Sequence, residues 1–460
     1  MFTKNVQEGR FPMSIVHNFP GGIHPHEGKG GKAVTAGLAI VAAPQPSRVV
    51  IPLQQNIGAP CKALVSKGDH VKVGQMIGEP VGGMSAAIHA SVSGVVVDCQ
   101  PAMTANGSQL MSVIIDNDFK DEWVELKPVA NPESMSVQEL SNLARQMGIV
   151  GLGGATFPTA VKLNVPEGRK VDTLVLNGAE CEPYLSADHR LMLEHAEQIV
   201  SGARLIQKVL GIQNVAIGIE DNKMDAVEAM KRACEGKDGF RVEALKTKYP
   251  QGGEKQLVYA LTGRTVRMGG LPLDLGVIVC NVGTCYAIHR AAYEGRPLVD
   301  RVVTVGGTVK KPANYLARIG TPVEWLIDTS DGLEDSTRML IYGGPMMGMA
   351  LSREDIPVTK GCSGILAMDQ VPSLADESPC IRCGRCIEAC PMKLVPASID
   401  RFVRKDMFDE AEKLNALNCI ECGSCAWVCP SRRNLTQSCR VAKRIINQRR
   451  REAAAKKGDK

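Results

Sequence analysis

The sequence predicts a multi-domain α/β protein that ends in a helical, cysteine-rich module, and three observations predict it. Residues 40–126 are rich in Val, Ile, Gly and Pro, with turns at Lys67-Gly68-Asp69 and Val73-Gly74-Gln75, the pattern of a small β domain. From about 129 to 295 strand-like and helix-like segments alternate, which argues for an α/β layer with a largely parallel sheet. Past Pro379 the composition shifts to Cys, Arg and helix formers, with cysteines in two tight groups. At 460 residues the chain has room for about three domains of ~150 residues, and 44% hydrophobic residues can fill their cores.

Taken in order, residues 1–128 form the first unit. Lys4, Glu8 and Arg10 surround no continuous apolar core, so the start does not read as a signal peptide. His24-Pro25-His26-Glu27 lies in a proline-bound loop with no fourth ligand in reach of the pattern, and reads as a structural turn. The strand order through Val65–Asp69, Val71–Glu79 and Ala90–Val97 resembles the biotinyl/lipoyl barrel sandwich. Carriers of that type need a lysine at the hairpin tip, and no Lys falls between Lys72 and Lys120, so the expectation is the fold without the swinging arm.

Residues 129–295 form the Rossmann-like unit. Val137, Leu140, Leu143, Ala144 and Met147 fall at helical spacing. Strands near 171–176, 214–219 and 240–246 then alternate with helices over 186–210, 222–235 and 254–262. Residues 296–370 return to short strands and predict a small β-grasp-like insert. Residues 371–440 carry the cysteine groups, and 441–460 form a basic tail. From Arg440 onward nine Lys/Arg face only Glu452 and Asp459.

Composition excludes other classes. Lys plus Arg (54) exceeds Asp plus Glu (49) by 5, too little for a chain that binds nucleic acid mainly by neutralising phosphates. No apolar run reaches the ~18 residues needed to span a bilayer. Sixteen cysteines in a long chain without a secretory signal indicate a reducing cytoplasm. Eight of them, Cys61, Cys99, Cys181, Cys234, Cys280, Cys285, Cys362 and Cys439, lie outside the groups and read as buried thiols.

The two groups are complete copies of the bacterial [4Fe-4S] run: Cys380-x2-Cys383-x2-Cys386-x3-Cys390-Pro391 and Cys419-x2-Cys422-x2-Cys425-x3-Cys429-Pro430. Three thiolates on x2 spacing reach three irons of a cubane, and in two-cluster modules the fourth comes from the other run. The expected ligand sets are therefore Cys380, Cys383, Cys386 and Cys429 for the first cluster, and Cys419, Cys422, Cys425 and Cys390 for the second. Zinc sites use CxxC pairs as well, but not three close cysteines followed by x3-Cys-Pro. Two neighbouring clusters make a wire, which implies a donor and an acceptor.

The donor cofactor is sought in Gly151-Leu152-Gly153-Gly154-Ala155-Thr156-Phe157-Pro158-Thr159. The ordinary dinucleotide fingerprint fails here, because Thr156 takes the third glycine's place and a helix precedes. The segment with Lys162 is instead similar to the flavin-binding loop of the flavin-bearing subunit of complex I. Asn177-x-x-Glu180-x-Glu182-Pro183, Tyr249-x-x-Gly252-Gly253-Glu254 and Asn281-Val282-x-Thr284 follow in the same order. Gly21-Gly22-Ile23-His24-Pro25-His26-Glu27, Ile57-Gly58-Ala59-Pro60, His89-Ala90-Ser91-Val92-Ser93-Gly94 and Gly343-Gly344-Pro345-Met346-Met347-Gly348 resemble the C-subunit family of Rnf electron-transport complexes over nearly the whole chain.

That resemblance implies FMN on the glycine loop, NADH as substrate, and electrons passed to two [4Fe-4S] clusters. By position it implies Gly151, Gly153, Gly154 and Lys162 at the flavin phosphate and ribityl chain, and Asn177, Asn281 and Thr284 on the flavin. Phe157 would face the nicotinamide or adenine, with Glu180, Glu182 and Glu254 at the cofactor's edge; of these, Phe157, Glu180 and Glu182 are the catalytic candidates. Leu152 replaces the loop's arginine and Ala179 its first acidic residue. The implied setting is peripheral, on the cytoplasmic face of the membrane, with membrane and peripheral Rnf subunits as partners, ferredoxin engaged indirectly, and cation transport coupled to the flow. A microcompartment corrinoid reductase and a non-enzymatic iron-sulfur relay stay open as alternatives.

Overall fold

The computed structural model describes residues 17–28, 30–371 and 377–458. The Lys4, Glu8 and Arg10 segment and the last two residues of the tail lie outside them.

Two small sheets make the barrel sandwich. One runs Arg48–Pro52, Gln109–Asn117, Gly94–Met103, His70–Val71, and the other Lys62–Ala63, Met76–Glu79, Ile88–His89. Alternation along the strands sends Val49, Ile51, Ile77, Ile88, Val96, Val113 and Ile115 into one core. Gly82, Gly83 and Met84 are exposed in the connection between Met76–Glu79 and Ile88–His89.

The α/β layer is a four-stranded parallel sheet ordered Phe240–Leu245, Asn214–Glu220, Thr173–Gly178, Val277–Asn281. Leu174 and Leu176 pack into the large core with the helices Ala196–Leu210 and Val282–Tyr293, while Val175 points to the opposite layer against Leu257, Val258 and Leu261 of the helix Glu254–Thr262. The chain steps outward from Thr173–Gly178 in one direction and then returns to lay Val277–Asn281 on the other side. The strand order therefore reverses between these two strands, the place where open α/β sheets hold ligands at their carboxyl ends.

Three expected boundaries move. The helix over 186–210 is two helices, Ala187–Glu194 and Ala196–Leu210, interrupted at His195 (φ −134°, ψ 32°); the apolar periodicity continues across the break, so no stop signal is visible. Ile40–Ala42, placed by sequence in the first β domain, instead extends the third unit's sheet, parallel to Ala313–Arg318. That six-stranded sheet continues through Asp300–Gly307, Gly364–Met368, Met339–Tyr342 and Met349–Ala350.

In the cluster module the chain between the two cysteine runs forms the helices Pro396–Val403 and Phe408–Lys413 and a short 3-10 turn, Ala416–Asn418. Asp406 (φ 54°) and Asn415 (φ 61°) adopt left-handed backbone, which ends each segment. The last helix, Leu435–Gly458, runs through the boundary drawn at 440/441. It does so because Cys439, Ala442 and Ile446 belong to the module's core with Leu394, Ile399 and Phe408. No helix among the described residues is long and apolar enough to cross a membrane.

An N-terminal strap ties the units together. The His17 N–H donates to the Ala260 carbonyl, the Gly22 N–H to the Ala389 carbonyl, and Ile23 exchanges backbone hydrogen bonds with Tyr249.

Candidate functional site

Asn177 and Asn281 stand opposite one another at the carboxyl ends of the two strands flanking the reversal. Asn281 also caps the helix Val282–Tyr293, its Oδ1 accepting the Gly283 N–H at 2.8 Å. The glycine loop lies over this end. The Gly151 N–H donates to the Phe157 carbonyl and closes the loop's base, and a methyl built on Gly153 would sit 3.5 Å from Asn281 Cβ. Gly154, at φ +114°, has no atom within 4 Å of such a methyl and faces open space. Exposed glycine N–H groups beside a capped helix N-terminus form a cradle for an anionic group, so the residues present fit a flavin phosphate.

The remaining residues expected here divide into those at the cradle and those beneath it. Lys162 Nζ donates to the Val279 carbonyl at 2.8 Å and pairs with Glu254 Oε1 at 3.2 Å, so this cation and Glu254 stay together at the sheet's end. Phe157 is half-exposed on the loop. Asn177 donates to the Gly252 carbonyl and accepts the Ala179 N–H, which fixes its amide's orientation. Asn281 Nδ2 donates to Asp188 Oδ2 at 2.7 Å. Leu152, where the related loop has arginine, turns into the hydrophobic core, as does Ala179 into the facing layer.

Three expectations need correction. Thr284, expected on the flavin, is buried, and its Oγ1 accepts the Leu152 N–H at 3.0 Å, so it holds the loop from below. Glu180, expected at a ribose, is buried and accepts the N–H groups of Asp188 and His189, capping the helix Ala187–Glu194. A carboxylate at that end answers the helix dipole and its free N–H groups. Glu182 accepts the Tyr249 hydroxyl at 3.3 Å and the Met346 N–H at 3.0 Å. Burial pushes its carboxyl up to about 7. Both glutamates thus have hydrogen-bond partners within the fold.

Sequence reasoning missed two buried charges. Asp188, beside Asn281, is pushed up to about 7, first by burial and then by the neighbouring Glu180 charge. Lys32 donates to the Glu180 and Leu185 carbonyls from the first unit, and burial holds its ammonium below the usual lysine range. Neither sits in a motif; a lysine on a short helix 148 residues from its partner leaves no local trace.

The cysteines of the two runs interleave. Cys390 from the first run and Cys419, Cys422 and Cys425 from the second line one cavity of ≈ 350 Å³, part of it open to solvent. Cys386 packs with Cys429 of the second run, whereas Cys380 and Cys383 are exposed. Among the described residues no three His, Cys, Asp or Glu converge on a single ion. Thiols ringing a cavity suit a cubane with four separate irons better than one zinc. The Leu394 N–H donates to Cys390 Sγ and the Glu421 N–H to Cys419 Sγ, each at 3.3 Å.

The second cysteine site faces the flavin-loop domain. Cys422 and Ala389 pack in one apolar cluster with Tyr249 and Ile23, flanked by Cys181 and Met346.

Comparison with known proteins matches this order of units. Residues 17–120 match the RnfC barrel sandwich hybrid domain, 144–290 the Nuo51 FMN-binding domain, 302–350 the SLBB domain and 373–430 the 4Fe-4S dicluster domain. The C subunit of the proton-translocating ferredoxin:NAD+ oxidoreductase complex of Clostridium ljungdahlii is 48% identical over 433 residues, 93% of this chain and 94% of that protein. The corresponding C subunit of the Na+-translocating complex of Acetobacterium woodii is 46% identical over 443 residues, 95% and 99% of the two chains. The chain belongs to the C-subunit family of Rnf-type ferredoxin:NAD+ oxidoreductases. A solved NAD+-reducing [NiFe]-hydrogenase in the H2-reduced state is looser, with a TM-score of 0.47 and 17% identity over 63% of this chain and 56% of its own.

The matched domains bear out the predicted architecture and the FMN and [4Fe-4S] cofactors read from the motifs. The corrinoid-reductase alternative gains no support from these relatives.

Proposed function

We propose that this chain is the NADH-oxidising, electron-input subunit of an Rnf-type complex. FMN, when bound, supplies the chemistry that turns a two-electron hydride into single electrons. The chain's own residues orient and insulate. Gly151, Gly153 and Gly154 with the Asn281-capped helix hold the phosphate end, Asn177 and Asn281 flank the ring, and Phe157 offers an aromatic face to the dinucleotide. Lys162 and Glu254 set the charge at the sheet's end, with Glu180, Glu182 and Thr284 as positioning residues.

The observation that carries the reading is the apolar cluster that holds Tyr249 together with Cys422. It supports an order in which the cluster on Cys390, Cys419, Cys422 and Cys425 stands next to the flavin. The cluster on Cys380, Cys383, Cys386 and Cys429, with two exposed ligands, then stands at the delivering end. The acceptors are other subunits of the complex, through which flow between NADH and ferredoxin is coupled to cation transport. The helix Leu435–Gly458 exposes Arg449, Arg450 and Arg451, and such a basic end suits the anionic cytoplasmic leaflet, where the subunit sits peripherally.

An anaerobic NADH titration of the reconstituted chain tests this. With one FMN and about eight irons, NADH bleaches flavin and cluster absorbance together. Clusters that form without flavin or an NADH response would reduce the chain to a relay.

A further inference from the structure

The C-terminal helix turns one face to the second cysteine site. Thr436, Cys439 and Lys443 stand at i, i+3 and i+7, a single stripe of a helix. Thr436 Oγ1 lies 3.6 Å from Cys425 Sγ, and Lys443 Nζ donates to the Cys419 carbonyl at 2.9 Å. Cys439, between them and 1% exposed, lines the same cavity as Cys390, Cys419, Cys422 and Cys425. It also packs with Cys419 in one buried cluster.

A cubane with four irons takes four protein thiolates, and the two runs already supply them. Cys439 is a fifth sulfur at a site that needs four. A ligating Cys419 is a thiolate without a proton, so within this pair the S–H belongs to Cys439 and points at the ligand. Adding an electron places further negative charge on the cluster's sulfurs. A donor aimed at a sulfur therefore stabilises the reduced form more than the oxidised one.

We propose that Cys439 is a positioning residue that donates an S–H···S hydrogen bond to the Cys419 thiolate and raises the reduction potential of the second cluster. The inference rests on the ligand assignment given under Proposed function. Thr436 stands one turn before it against Cys425, and Lys443 one turn after, where its ammonium pairs with Glu421 and so adds little net charge. A thiol is a weak donor. Its removal is expected to lower the reduced-to-oxidised ratio at a fixed poise about three-fold, equivalent to about 30 mV at 59 mV per tenfold for one electron.

The test is an EPR-monitored redox titration of the full chain with both clusters, comparing wild type, Cys439→Ala and Cys439→Ser. In the alanine variant one midpoint falls by about 30 mV while the other stays in place, and iron remains at about eight per chain. Serine, which keeps an O–H donor, restores the midpoint. Unmoved midpoints in the alanine variant overturn the proposal, and so does an equal fall in alanine and serine, which would make packing the cause. Loss of half the iron also overturns it by making Cys439 a ligand. Where alanine fails to assemble, Cys439→Val takes its place: a lowered midpoint that serine restores supports the hydrogen bond, and an unmoved midpoint or lost iron refutes it. Failure of the NADH reading leaves these midpoints untouched, so the two outcomes are separable.

Discussion

Replacing Glu182 by glutamine should change how stability depends on pH. In the native chain the Glu182 carboxylate bridges the Tyr249 hydroxyl and the Met346 N–H, and burial pushes its carboxyl from 4.5 to about 7. Between those values the folded state binds the proton more tightly than the unfolded state does. The contribution is therefore fully present below 4.5 and is lost as pH rises through 7. At 1.36 kcal/mol per unit the loss is at most about 3 kcal/mol, and less because part of the side chain still touches solvent. Glutamine can accept the Met346 N–H through its carbonyl and donate to the Tyr249 oxygen, so its own cost is about 1 kcal/mol and does not titrate. Glu182→Gln should thus be less stable than wild type near pH 5 and more stable near pH 8. Thermal unfolding of the loaded chain across this range should show the difference in midpoint swing by about 5 °C, at roughly 2 °C per kcal/mol for a large domain. The Asp188 titration is common to both proteins and cancels. Parallel stability curves would refute the buried, proton-binding carboxyl.

Two further outcomes test the sites directly. Gly154→Val places a β-branched residue at φ +114°, a conformation open to glycine, in a loop where nothing collides with the new side chain. The chain should fold and keep its iron but lose most of its flavin, and a wild-type flavin-to-iron ratio would remove the loop from the FMN site. Cys390→Ala should lower iron to about four per chain and abolish the signal of the cluster held by Cys419, Cys422 and Cys425, although Cys390 belongs to the other run. Loss of the first cluster instead would reverse the ligand exchange.

What the sequence made legible followed from short-range patterns. Cysteine spacing needs only a few residues of chain, and the cavity shared by Cys390 with the second run is where that spacing points. The strands Thr173–Gly178 and Asn214–Glu220 and the helix Glu254–Thr262 were visible as apolar runs and periods. The roles of Glu180, Glu182 and Thr284 were not, because a motif names the residue and its neighbours but not the direction of its side chain. Glu180 turned to a helix start eight residues on, and Glu182 to Tyr249 and Met346, 67 and 164 residues away. Ile40–Ala42 joined a sheet whose other strands begin at residue 300. Cys439 looked like any buried thiol until the helix stripe placed it against a ligand.

The strap at Gly22 and Ile23 bears on how the chain is made. Its partners are Tyr249 and Ala389, so this segment closes against turns that leave the ribosome more than two hundred residues later. Domains fold largely as they emerge, yet the Gly22 half of this clasp waits for the turn into Cys390. The pair of bonds between Ile23 and Tyr249 can close once the α/β layer has formed, whereas the bond from Gly22 to Ala389 joins the strap to the cluster module last.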